Sequence, residues 1–91
     1  MKDTYEVYGK SDCPYCAKAE KLLEELKEKG YINYTYIKVE DRAERDKLYE
    51  KWGLTGNKAT MPQFFFVFED GSKEHIGDYT NSEKQIRSLY S

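Results

Sequence analysis

Cys13-Pro14-Tyr15-Cys16 contains the chain's only two cysteines, and it lies where a short apolar segment gives way to a long amphipathic one. Two thiols three positions apart at a helix start sit on neighbouring positions of one turn, within reach of a disulfide. The first of them faces backbone N–H groups that have no partner inside the helix, and the positive end of the helix dipole. Both stabilise a thiolate and lower its pKa. The leading reading is a dithiol redox site, with Cys13 as nucleophile and Cys16 as resolving thiol.

Other uses of the pair compete with this one. Tetrahedral zinc needs four ligands, and His75 is the one histidine of the chain, so a zinc site would have to recruit carboxylates or a second chain. A structural disulfide between Cys13 and Cys16 would close a very short loop and remove little entropy from the unfolded chain. Inert buried thiols are disfavoured by the helix-start position. His75 falls in an expected strand beside Ile76 with no motif tying it to Cys13, and reads as a structural, half-exposed histidine.

Around the cysteines, the patterning predicts alternating strands and helices. Tyr5 to Tyr8 is the first strand, Lys10-Ser11-Asp12 a polar loop, and Pro14 suits a first helical turn, where its missing N–H has no partner in any case. Ala19, Leu22, Leu23 and Leu26 recur at helical spacing, and Gly30 is the stop. Tyr34 to Val39, β-branched and aromatic, reads as a second strand parallel to the first because a helix joins them. Asp41 with Glu44 resembles a capping box for a helix reaching about Trp52 and ended by Gly53, with Leu48 and Trp52 on its buried side. A loop, Leu54 to Met61, leads through Pro62 into a strand from Gln63 to Phe68. Asp70-Gly71 is a hairpin turn, and Lys73 to Ile76 pairs back antiparallel. Ser82 to Tyr90 is a final helix with Ile86 and Leu89 inward.

The chain has 91 residues, enough for one domain spanning residues 1–91 and too few for a second core. Fifteen basic and seventeen acidic residues give a net charge of −2, and the signs are interspersed, which argues against a nucleic-acid surface. Met1 to Val7 lacks the apolar core of a signal peptide, and no window approaches the roughly 18 apolar residues of a membrane span. The expected location is the cytoplasm, where thiols are kept reduced and an isolated cysteine pair is more often catalytic than structural.

Taken together, the strand, Cys-Pro-Tyr-Cys at a helix start, Thr60-Met61-Pro62 before a later strand and a glycine after the hairpin resemble a dithiol glutaredoxin over essentially the whole chain. The resemblance implies a thioredoxin-like α/β fold, β-α-β-α-β-β-α, with a four-stranded mixed sheet. It implies a glutathione-dependent reductant of protein disulfides and glutathione mixed disulfides, with glutathione as co-substrate and no tightly bound cofactor or metal. A monomer is expected, and ribonucleotide reductase is a plausible client by resemblance alone. Lys10 matches the lysine before the active-site loop, and Tyr15 the active-site tyrosine. Thr60-Met61-Pro62 matches Thr-Val-Pro, whose proline is cis and whose preceding residue pairs through its backbone with the cysteine part of glutathione. Gly77, Thr80 and Asn81 match the segment that receives the γ-glutamyl carboxylate at a helix start. Asp78 departs from the pattern by replacing a second glycine, and it puts a negative charge beside an anion site.

Within the superfamily two alternatives stay open. A redoxin served by thioredoxin reductase has the same fold, although such proteins usually carry other residues between the cysteines. A glutathione-assisted iron–sulfur module usually has a single cysteine followed by glycine, where this chain has Pro14. A non-catalytic binding domain would have no use for an intact dithiol.

Overall fold

In the computed structural model, which describes residues 2–90, the elements run β1 (Asp3–Gly9), α1 (Pro14–Glu28), β2 (Ile32–Lys38), α2 (Arg42–Trp52), a single 3-10 turn (Gly56–Lys58), β3 (Gln63–Val67), β4 (Lys73–Gly77) and α3 (Tyr79–Tyr90). The strands form one mixed sheet in the order β2-β1-β3-β4. β1 and β2 are parallel, from Asp3 opposite Ile32 to Gly9 opposite Lys38. β3 runs antiparallel to both β1 and β4.

Strand alternation sorts the side chains between two layers. Tyr5, Val7, Ile32 and Phe64 are completely buried with Ala19, Leu22 and Leu23 of α1 and Ile86 of α3. Each large apolar side chain withdrawn from water in this way contributes about 1.5–3 kcal/mol. The opposite face carries Tyr8 and Phe65, and Trp52 of α2 packs on it with ring centroids 4.9 and 5.0 Å from theirs. A second cluster of Cys16, Val39 and Met61 is flanked by Leu48, Tyr49 and Trp52, so α2 closes the sheet next to the cysteines.

Helix ends follow local chemistry. Asp41 caps α2 by accepting the Ala43 N–H at 2.8 Å. At the end of α1, Gly30 takes φ +83 and the N–H groups of Gly30 and Tyr31 return to Lys27 O and Leu26 O, satisfying carbonyls that would otherwise be orphaned.

Several boundaries differ from the sequence expectations. β1 extends to Asp3 and Gly9, and β2 starts at Ile32, because backbone pairing continues past the aromatic stretch that marks each strand. The Asp70-Gly71 turn sits in a five-residue connection closed by Phe68 N–H to Ser72 O, so Phe68 leaves the strand. α3 begins at Tyr79 and not at Ser82. Leu89, expected inward, is 60% exposed. The inward ridge of α3 is Ser82, Ile86 and Tyr90, four residues apart; the Tyr90 hydroxyl meets Tyr5 at 2.9 Å and also donates to Asp3, leaving Leu89 turned to solvent.

Candidate active site

Cys13 is the N-cap of α1, with extended φ and ψ of −128 and 105, and Pro14 follows as the first helical residue. Its sulfur accepts the Cys16 N–H at 3.2 Å, which is where a thiolate finds a partial positive charge. The two cysteines are joined as a disulfide with Cα atoms 5.1 Å apart. Cys13 is half-buried and Cys16 buried, so an incoming sulfur meets Cys13 first.

The loop before Cys13 is held from β2's end. Ser11 N–H donates to Glu40 Oε1 at 2.7 Å, and this bond with the Ser11 hydroxyl holds the Glu40 carboxyl below its usual range. Arg45 Nη1 in turn donates to the carbonyls of Val39 and Glu40, both at 2.8 Å. Asp12, at φ +54, makes the tight turn into α1. Neither Glu40 nor Arg45 was expected at the site; both are surface charges whose role depends on β2 ending beside the loop.

Lys10 lines an open groove together with Cys13, Pro14 and Lys38. On the other side of Cys13, Met61 O lies 3.6 Å from its sulfur, and the Met61–Pro62 bond is cis. A cleft of about 310 Å³ there brings Tyr15, Thr60, Met61, Pro62 and Thr80 together with Asn57, Asp78 and Tyr79. Tyr15 is 54% exposed and its ring lies 5.9 Å from that of Tyr79. Gly77 and Asn81 line a neighbouring hollow with Lys58, Gln63, His75 and Asp78. At φ +135, Gly77 adopts backbone that side chains strain to reach. The predicted residues thus lie in two adjoining clefts that share Asn57 and Asp78 and in the Lys10 groove that Cys13 itself lines, with Met61 O the point of approach to the Cys13 sulfur. Asn57 and Lys58 went unrecognised, since they occur in a loop with no motif.

Asp78 has a local role that the sequence did not show. It is the residue before α3, and its Oδ1 accepts the Asn81 N–H at 3.0 Å while its carbonyl accepts the Ser82 N–H. The helix start at Thr80 and Asn81 is therefore partly filled by the chain's own carboxylate. Among the described residues, no group of three or more His, Cys, Asp and Glu could hold a metal.

A cysteine pair heading the first helix of a four-stranded mixed sheet, opposite a cis-proline turn, defines a thiol–disulfide oxidoreductase of thioredoxin-like fold. The family model for glutaredoxin matches residues 5–69, and the chain belongs to the glutaredoxin family. It is 35% identical over 79 residues to Glutaredoxin 1 of Escherichia coli, covering 82% of each chain, and 34% identical over 89 residues to that of Rickettsia prowazekii, covering 92% of this chain and 81% of the relative. Its fold matches the crystal structure of Glutaredoxin 1 from Francisella tularensis complexed with cacodylate, with TM-score 0.73, 27% identity, and coverage of 96% and 95%. It also matches reduced Escherichia coli glutaredoxin, with TM-score 0.64, 30% identity, and coverage of 93% and 94%.

Proposed function

We propose that this oxidoreductase draws its electrons from glutathione and reduces protein disulfides and glutathione mixed disulfides. The observation that carries the reading is the position of the Cys13 sulfur, on the Cys16 N–H at the head of α1 and 3.6 Å from Met61 O at the mouth of a peptide-sized cleft. In the dithiol mode, the Cys13 thiolate attacks a substrate disulfide, forming a mixed disulfide and releasing one substrate thiolate. The Cys16 thiolate then attacks the Cys13 sulfur and releases the second. Two glutathione molecules restore the dithiol: the first forms a mixed disulfide at Cys13, and the second removes it as glutathione disulfide. In the monothiol mode the Cys13 thiolate takes the glutathionyl group from a glutathionylated protein and releases the protein thiolate, a glutathione thiolate then removes that group as glutathione disulfide and frees Cys13, and Cys16 is dispensable.

In this reading Met61 pairs through its backbone with the cysteine of glutathione, and Tyr15, Thr60 and Pro62 line that cleft. Lys10 attracts one carboxylate of the tripeptide, and Gly77, Thr80 and Asn81 receive the other. The protein works as a one-domain monomer in the cytoplasm with no tightly bound cofactor, and ribonucleotide reductase is a protein substrate to test. Cys13→Ser and Cys16→Ser examine the chemistry together. Cys13→Ser abolishes both modes, whereas Cys16→Ser loses reduction of protein disulfides and keeps removal of glutathione from a small mixed disulfide. Equal losses in both assays would sink the division of roles.

A further inference from the structure

Gln63 is 2% exposed, and a buried amide requires partners at both ends. Its Nε2 donates to Thr60 O at 2.8 Å, and its Oε1 lies 2.7 Å from His75 Nε2. A backbone carbonyl can only accept, which fixes the amide nitrogen toward Thr60 and the amide oxygen toward His75. An amide oxygen can likewise only accept, so His75 must present Nε2–H. The imidazole is seated among aromatic rings, its centroid 4.9 Å from that of Phe65 and 6.4 Å from that of Trp52. A continuous path thus runs from an aromatic stack on the sheet, through His75 and Gln63, to the carbonyl of the first residue of Thr60-Met61-Pro62. The next carbonyl along, that of Met61, faces Cys13.

We propose that His75 and Gln63 are positioning residues, a relay that locks the Thr60 carbonyl so that the Met61 backbone stays aligned to pair with the peptide backbone of glutathione beside Cys13. The inference rests on the glutathione reading above. Neither residue touches the reacting sulfurs, so the relay acts on capture of the glutathionyl group and leaves thiolate chemistry alone. Without it, the turn must be ordered at the moment of binding, at a cost to affinity.

His75→Phe keeps a ring over Phe65 and Trp52 but leaves Gln63 Oε1 without its donor. His75→Gln sacrifices the ring and returns an amide N–H near the former Nε2. With a glutathionylated peptide as substrate and glutathione as reductant, His75→Phe raises KM about fivefold with kcat nearly unchanged, a loss of about 1 kcal/mol in binding. Gln63→Leu does the same, the double variant adds little further, and His75→Gln recovers most of the wild-type KM. A wild-type KM in a folded His75→Phe protein, or equal defects in His75→Phe and His75→Gln, would overturn the relay. NMR of the imidazole reads the bond without glutathione: an Nε2–H proton slow to exchange with water is expected in the wild type and lost in Gln63→Leu, and an Nδ1–H tautomer would refute it. Wild-type protein that fails to turn over with glutathione sinks the functional reading alone, and the imidazole signal still decides the relay.

Discussion

Asp78→Asn separates the charge of Asp78 from its bond to α3. Asparagine caps helices about as well as aspartate, so the Asn81 N–H keeps an acceptor and the cap is retained; the lost interaction with the helix dipole costs roughly 0.3–1 kcal/mol. Ligand binding should change in the opposite direction. The Asp78 carboxylate is already 3.0 Å from the Asn81 nitrogen, so a glutamyl carboxylate reaching the amides of the same turn comes within about 4 Å of it, where two like charges in water repel by about 1 kcal/mol. Removing one of them tightens binding about fivefold. Calorimetry with S-methylglutathione, which cannot react with the thiols, measures this at about 0.01 M and about 1 M salt, where the screening length falls from roughly 30 to 3 Å. The gain is expected at low salt and nearly gone at high salt. Equal affinities of wild type and variant at both salts would place the ligand carboxylate away from α3 and refute the reasoning.

Further outcomes follow from the same geometry. In the reduced protein the Cys13 thiol should titrate well below the free value of about 8.5, followed by thiolate ultraviolet absorbance; a normal titration would mean the α1 N-cap does not activate it. Gly9→Ala should destabilise the fold by about 1–3 kcal/mol in chemical denaturation, as overpacking does, because its methyl group would sit 2.6 Å from Tyr36 Cζ; Tyr36→Leu in the same chain should recover part of the loss. Burial disfavours the charged Glu6, but hydrogen bonds from Lys73 and Tyr8 and the charges of Lys73 and Lys51 outweigh it and lower its pKa from 4.5. With the folded value depressed, this stabilisation is present above about pH 4.5 and lost as pH falls through the folded value, so Glu6→Gln should flatten that part of the stability profile.

Much of the architecture was legible because apolar periodicity and punctuation agree along the chain. Pro14 opens α1, Gly30 and Gly53 end helices, and the aromatic run from Gln63 can be read only as a strand. The place of the cysteine pair at the head of α1 was legible for the same reason, since Pro14 directly after Cys13 marks a helix start. What escaped was set by tertiary pairing. Tyr90 displaces Leu89 from the inward face through hydroxyl bonds to Tyr5 and Asp3, residues at the far end of the chain. Asp78 reads as a lost glycine until α3 is seen to begin at Tyr79, which makes it the cap. Gln63 heads an aromatic run and His75 stands between Glu74 and Ile76 on the paired strand, and no local pattern reveals that their side chains meet. Glu40 and Arg45 look like solvated charges and become supports of the active-site loop only because β2 ends beside Ser11.

The choice of electron donor tests the central claim most directly. Oxidised protein, with Cys13 and Cys16 joined, is offered either glutathione with glutathione reductase or thioredoxin reductase at matched enzyme levels, and NADPH consumption is followed with purified components. Rapid reduction by the glutathione system and slow reduction by thioredoxin reductase is the predicted result. Much faster reduction by thioredoxin reductase would contradict the glutathione reading of the Met61 cleft and the α3 helix start, while leaving the dithiol chemistry of Cys13 and Cys16 in place.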